Sequence, residues 1–325
     1  MPIAARYHAR LAAVLMAAIA APLAAQSYPS KVIKIIMPFP IGGTNDIIAR
    51  AVGDRLAPLL KQPVVIENRG GAGGLIGTDA VAKAPPDGYT LLVSNTSSLA
   101  AGLALRAKVP YDVLRDLTPV SLLADITIVL ALHPSVPAKS PRELIALAKS
   151  RPGTLNAAVP GLGTLQHLLT EMFRLRAGVS LALVPYKGGA PALVELLAGQ
   201  DDMAFINLPT LLEFIKAGRL RAIAVADAHR SEVLPDVPTL NEAGLPGLIA
   251  SPWSAMMAPA ATPSEIIARL NTEVVRIMRS ADMKKYLASQ GANPLWSTPE
   301  EARAFIRDEI AKWAKVAREA GIKPE

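Results

Sequence analysis

Two short stretches of this chain place glycines and a hydroxyl where an apolar run gives way to a helical pattern: residues 38–46 (PFPIGGTND) and residues 161–167 (GLGTLQH). In the first, Gly42 and Gly43 let the backbone approach a ligand closely, and Thr44 can cap the helix that follows. The N–H groups at a helix start have no intrahelical partner, so they form an anion site. Asp46 falls in the first turn, where the helix dipole alone would account for it. Gly163, Thr164 and His167 repeat the arrangement. Each loop also reads as an ordinary capped turn, but two helix starts facing one cleft would suit a dicarboxylate or another small anion.

Other candidates are less specific. Residues 94–98 (SNTSS) include Asn95 and Thr96 and end a strand-like run, which suits either a polar ligand or a polar turn. Tyr186, in the YKGG segment, and Asn207, at the end of another run, can both line a cleft; a buried Tyr with one satisfied hydroxyl accounts for Tyr186 equally well. His167 and Glu171 share a helical face at the spacing of a metal pair, but no third ligand accompanies them, and capping or packing explains His167 as well. Residues 68–77 (NRGGAGGLIG) resemble a dinucleotide turn. The G-x-G-x-x-G spacing fails at Ala72, and no acid follows the next strand to hold a ribose, so a tight turn with close helix packing is the better account. Nucleophile-elbow, zincin and P-loop motifs are absent, and with no Cys the chain has no thiol nucleophile, disulfide or thiolate metal site. Weight moves from catalysis to binding, with no cofactor implied.

The elements that must position these residues alternate. Runs at 31–37 (KVIKIIM), 63–67 (PVVIE) and 89–93 read as strands, with a helix over 44–60 and another ending near residue 84. Strand–helix alternation of this kind predicts an α/β fold with parallel sheets. Residues 118–132 (TPVSLLADITIVLAL) are extended and apolar for longer than one ordinary strand, which suits a crossing between lobes. Beyond it the alternation resumes, with helices over 141–150, 164–177, up to 198 and 211–217, and strands over 155–159, 183–185, 203–206 and 220–226. Residues 251–258 can carry the chain back before two or three final helices. The expected organisation is lobe one from 28–125 with 253–325, and lobe two from 126–252.

Composition agrees. At 325 residues and 51% hydrophobic, the chain can bury two cores. Arg6 and Arg10, an apolar run from residue 11 to 25 and small residues before residue 26 have the layout of a secretory signal, expected over 1–27. Its removal lowers the formal charge from +7 to +5, spread along the chain with few aromatics, which is a poor nucleic-acid footprint. The mature protein is expected to be exported and soluble, without nucleic acid, and to act as a monomer.

The chain resembles the substrate-binding proteins of tripartite tricarboxylate transporters, the Bug family of periplasmic solute receptors. The resemblance rests on six ordered segments: PFPIGGTNDIIAR, ENRGGAGGLIGTDAVAKAPPDGYTLL, VPYKGGAPALVELLAGQ, AGRLRAIAV, LPDVPTLNEAGLPG and APAATPSEIIARLN. It implies a type II periplasmic-binding fold, two lobes closing on a small organic carboxylate that is passed to integral membrane transport subunits. It also implies that Gly42, Gly43, Thr44 and Asp46 border the ligand from one side, with Gly163, Thr164, His167 and Asn207 opposite and Asn95 and Thr96 nearby. Sequence alone leaves open a sensor protein as the partner, and a nucleotide-dependent enzyme as a remoter alternative.

Three positions depart from the family pattern. Ile41 replaces the small residue or Pro usual before the Gly pair and is expected to narrow that end of the site. Val159 stands where Ser is common, and Ile206 where Asp is common. Losing that hydroxyl and acid predicts a less polar carboxylate, aromatic or aliphatic, rather than an amino acid or citrate.

Overall fold

The computed structural model describes residues 28–319; the expected signal segment lies outside them. The IKIIM run forms β1 (Ile33–Met37), four of whose five residues are buried, as expected of a strand covered on both faces. It pairs in parallel with β2 (Val64–Asn68) and β3 (Thr90–Asn95), joined by the crossover helices α1 (Thr44–Leu60) and α2 (Leu75–Ala82). Two short helices follow, α3 (Thr96–Leu99) and α4 (Val113–Asp116).

The long apolar segment crosses between sheets, as its length implied. β4 (Leu117–Ile126) and β5 (Ile128–Leu132) are separated by Thr127 alone and belong to different sheets. In the second sheet β6 (Asn156–Val159) runs parallel to β7 (Ala182–Pro185) and β8 (Met203–Asn207), while β5 lies antiparallel between β8 and β9 (Arg221–Val225). Its helices are α5 (Pro141–Ser150), α6 (Leu165–Ala177), α7 (Gly189–Leu197) and α8 (Leu208–Lys216). The chain then returns as β10 (Trp253–Pro259), inserted antiparallel between β3 and β4. It ends with α9 (Ser264–Arg279), α10 (Ala281–Ser289), β11 (Ala292–Pro294) and α11 (Pro299–Glu319).

The strand orders are β11-β4-β10-β3-β1-β2 and β7-β6-β8-β5-β9. Both sheets are therefore mixed, where alternation alone predicts parallel ones. The antiparallel members are those that carry the chain between lobes or follow its return, so no crossover helix sets their direction. β11 has only three residues, too few for a period to show.

One apolar cluster contains Leu92 and Trp253 of the first sheet together with Leu130 and Phe205 of the second, so the core continues from lobe to lobe. No helix among the described residues is long and apolar enough to cross a membrane.

The C-terminal helix returns to lobe one and is held there by a buried carboxylate. Glu309 Oε2 accepts from the indole Nε1 of Trp253 at 2.9 Å and of Trp313 at 2.9 Å, while Lys312 Nζ reaches Oε1 at 2.7 Å. Both indoles are 2% exposed, so neither can turn to water if the acceptor is lost. Glu309→Ala is expected to cost about 2–4 kcal/mol, because it leaves two buried donors unmade. Urea denaturation would check this, with Glu309→Gln, which keeps one acceptor, falling between the two.

Candidate ligand-binding cleft

Parallel strands followed by helices put every helix start at the carboxyl edge of its sheet. Here the two lobes face each other along those edges, and five helix starts border one cavity of about 50 Å³. Gly43, Thr44 and Asn45 come from the start of α1, and Asn95 and Ser97 from that of α3. From lobe two, Thr164 and Gln166 belong to α6, Gly189 to α7, and Asn207 and Thr210 to α8. Phe39, Pro160 and Ile206 complete the wall, which holds no charged side chain.

The starts of α1, α7 and α8 have no side-chain cap; at α8, however, the Leu208 N–H donates to the Thr127 carbonyl at 2.8 Å and Pro209 has no N–H, so α1 and α7 are the starts that leave first-turn N–H groups to the cleft. α6 differs: Thr164 Oγ1 accepts from His167 N at 3.2 Å, the cap its sequence predicts. Asn45 is 4% exposed, yet its Oδ1 has no hydrogen-bond partner in the protein. A neutral wall rich in amides and hydroxyls, with the positive ends of helices behind it, stabilises an anion without a counter-ion.

Several hydrogen bonds join the two lobes across this cavity. The Thr44 and Thr210 hydroxyls are 2.9 Å apart, and the Leu165 N–H donates to Ser97 Oγ at 3.1 Å. Outside this wall, Arg106 Nη2 donates to the Leu162 carbonyl at 2.9 Å, also from lobe to lobe. Within lobe two, Gln166 Nε2 donates to Asn207 Oδ1 at 2.8 Å and fixes the start of α6 against the end of β8.

The residues singled out by sequence separate into two groups. Gly43, Thr44, Asn95, Thr164 and Asn207 line the cavity. Thr44 is not the cap, however: Gly43 occupies that position in extended geometry, which frees the Thr44 hydroxyl to reach across the cleft. Gly42, Asp46, Thr96, Gly163, His167 and Tyr186 are outside its wall. Asp46 is buried, and its carboxylate is occupied by Arg50 Nε at 2.9 Å, Asn68 Nδ2 at 2.9 Å and Gly42 N at 3.1 Å. It therefore shapes the loop that presents Gly43 and Thr44. Gly42, with φ at +82°, makes the turn that this bond closes.

The remaining displacements have similar causes. Thr96 Oγ1 accepts from Trp253 N at 2.8 Å, tying the start of α3 to β10. His167 Nδ1 accepts from Gly163 N at 3.2 Å, so the imidazole braces its own loop, and Nε2 lies 3.9 Å from Glu171. The Tyr186 hydroxyl donates to Asp201 Oδ2 at 2.7 Å; burial and that neighbouring carboxylate push its pKa up to about 12, so it stays protonated. Ile41 is 67% exposed and does not narrow the cavity. Ile206 does stand in the wall, while Val159 is fully buried and not part of it. Ser97, Gln166 and Thr210 were not singled out from sequence. Each lies in a helical first turn, the one signal that could have found them.

Fold and cleft together define a two-lobe protein of the periplasmic-binding type. The chain belongs to the tripartite tricarboxylate transporter receptor family, whose model matches residues 48–322. It is 47% identical over 311 residues to Protein BugT of Bordetella pertussis, covering 95% of each chain. Among solved structures, R. palustris Rpa4515 with adipate superposes with a TM-score of 0.89 at 37% identity, over 92% of this chain and 100% of that one. MatC from Rhodopseudomonas palustris with bound malate gives 0.85 at 33% identity, over 89% and 99%.

The loop network makes a pH-dependent prediction. Burial alone would raise the Asp46 pKa, but the hydrogen bonds from Arg50, Asn68 and the Gly42 amide outweigh it and hold the carboxyl below the ordinary range. A depressed folded pKa contributes stability that is fully present above the ordinary aspartate value and lost as pH falls through the folded one. Asp46→Asn is therefore expected to lower Tm at pH 7, with the deficit shrinking once pH falls below about 4. Thermal melts of both proteins across that interval test it; a deficit independent of pH would contradict the assignment.

Proposed function

We propose that this chain is a periplasmic solute receptor that captures a small organic carboxylate between its lobes and delivers it to the integral membrane subunits of a tripartite tricarboxylate-type transporter, without covalent change to the ligand. One observation carries this reading: uncapped helix starts from both lobes converge on a cavity whose wall has no charged side chain. The family membership and the adipate-bound and malate-bound relatives support it. Export through the expected signal segment fits the same role.

The lobes, 28–125 with 253–325 and 126–252, act as the moving bodies, and β4–Thr127–β5 with the return into β10 form the hinge. Bonds such as Thr44–Thr210 and Leu165–Ser97 exist only when the cleft is shut, so they favour closure over the carboxylate. Phe39, Pro160 and Ile206 give the ligand apolar surface. No acidic group in the wall is available to an ammonium and no cationic one to additional carboxylates, so aliphatic or aromatic carboxylates are favoured over amino acids and citrate.

A thermal-shift screen tests the specificity. At 100 times Kd, an apolar acid should stabilise the protein by about 2.7 kcal/mol; strong stabilisation by citrate or aspartate with none from apolar acids would overturn the selectivity. Thr44→Ala removes a bond that spans the closed cleft but no helix cap. It is expected to weaken carboxylate affinity by several-fold while leaving the melting temperature of the unliganded protein almost unchanged. Titration calorimetry beside melting curves separates the two, and small-angle scattering should show compaction with ligand in the wild type.

A further inference from the structure

A second cavity, of about 260 Å³, lies between the lobes on the far side of the hinge. The strand orders place it there. The wall of the cleft comes from the ends of β1, β3, β6 and β8, whereas this cavity is bounded by the end of β4, by β11 and by the loop after β9. In the first sheet β10 separates β4 and β11 from β3 and β1, and in the second β5 separates β9 from β8 and β6. A rotation about the crossings that shuts the cleft therefore widens this cavity, and one that opens the cleft narrows it.

Two carboxylates face the cavity, one from each lobe: Asp125, next to last in β4, and Asp227, two residues after β9. Asp227 holds both crossings. Its Oδ2 accepts from the Thr127 hydroxyl at 3.4 Å, on the outward path, and its Oδ1 from the Ser251 hydroxyl at 3.1 Å, on the return. The Ala228 amide donates to the same Oδ1 at 2.7 Å. Asp125 Oδ1 accepts from the Ile126 amide at 3.0 Å, and the residues paired with Asp125 on β10 and β11 are Trp253 and Asn293, neither of them charged. Burial first, and the charge of Asp227 second, raise the Asp125 pKa above the ordinary aspartate value, against that one amide. The other titratable groups in the wall are His229, Arg230 and Glu232, all exposed on the lobe-two loop, and Arg230 is paired with Glu242 at 3.0 Å. Lobe one contributes no cation to the wall.

We propose that Asp125 and Asp227 form an acid-sensitive strut behind the hinge: while both are charged they resist the approach that opens the cleft, and protonation of Asp125 releases it. This rests on the hinge reading of the crossings. The sign follows from linkage. A proton binds Asp125 more tightly where Asp227 is nearer, so the open form has the higher pKa and takes up the proton first. The bias toward the shut form is complete above both values and is lost as pH falls through them. Acid thus opens the cleft through the protein itself, apart from any titration of what the cleft holds.

The chain has no Cys, so two introduced thiols can carry spin labels without competition. Ile76→Cys in lobe one and Val194→Cys in lobe two are exposed and outside the cleft wall. Pulsed dipolar spectroscopy of the labelled mature chain, without added ligand, then reads shut and open populations as separate distances. From about pH 7.5 to about pH 4 the ratio of open to shut is expected to rise about threefold, the change that half a pKa unit between the two forms gives. Asp125→Asn should show the acid ratio at both pH values. Asp227→Asn, which removes the other charge and keeps an acceptor for Ser251, should do the same; melting curves establish folding, and either variant suffices. His229→Gln and Glu232→Gln should keep the response. A wild-type ratio that is constant or falls with acid, in a protein whose label distance still shortens with saturating adipate, would overturn the strut and leave the hinge standing. A response that persists in Asp125→Asn, or is lost in His229→Gln or Glu232→Gln, would assign the proton elsewhere and also overturn it. One distance unchanged by pH, by both Asn variants and by adipate would remove the hinge reading and this one with it.

Discussion

A helix start leaves amide N–H groups without partners, and a protein ordinarily spends a side chain or solvent on them. This chain brings five such starts to one cavity and leaves three without a side-chain cap. The arrangement depends on the parallel pairs in each sheet, because parallel strands deliver all their following helices to the same edge. A lobe built of antiparallel hairpins would scatter those ends. The positive character of the cleft is thus a property of the topology and requires no Lys or Arg in the wall.

The second constraint is that two such edges must face each other. A continuous strand pair, β4 and β5, broken only at Thr127, carries the chain from one sheet to the other, and β10 completes the return. Because these strands enter against the direction of their neighbours, the sheets are mixed. Glu309 fastens the last described helix to β10 through the Trp253 indole, while the Trp313 indole of the same helix shares its carboxylate, so α11 is tied to the strand that returns the chain to the first sheet. Rigidity on one side of the crossing and few side-chain bonds across the cleft are what the closure proposed above requires.

Much of this is legible from residue order. β-Branched runs bounded by Pro and Gly, alternating with amphipathic stretches, locate α1 over 44–60 and α5 over 141–150, and the overlong apolar run marks the crossing. Thr164 reads as a cap because a hydroxyl three residues before an N–H is a local geometry. Asp46 reads no less plausibly as a ligand contact than as a brace, and only its bonds to Arg50, Asn68 and Gly42 decide the matter. Ile41 is similar: its size suggested a narrowed site, but the loop turns it to solvent.

What the sequence by itself determined is the alternation of elements, the glycine loops, the absence of thiol chemistry and the family to which they belong, since each depends on neighbours within a few residues or on ordered motifs. Tertiary structure decided which helix starts meet, that Thr44 faces Thr210 across 166 positions, and that Asp125 and Asp227 face one cavity from opposite lobes. The reason is physical. Period and capping are set by local backbone geometry, whereas the wall of a cleft is set by the relative placement of two lobes that no local pattern encodes.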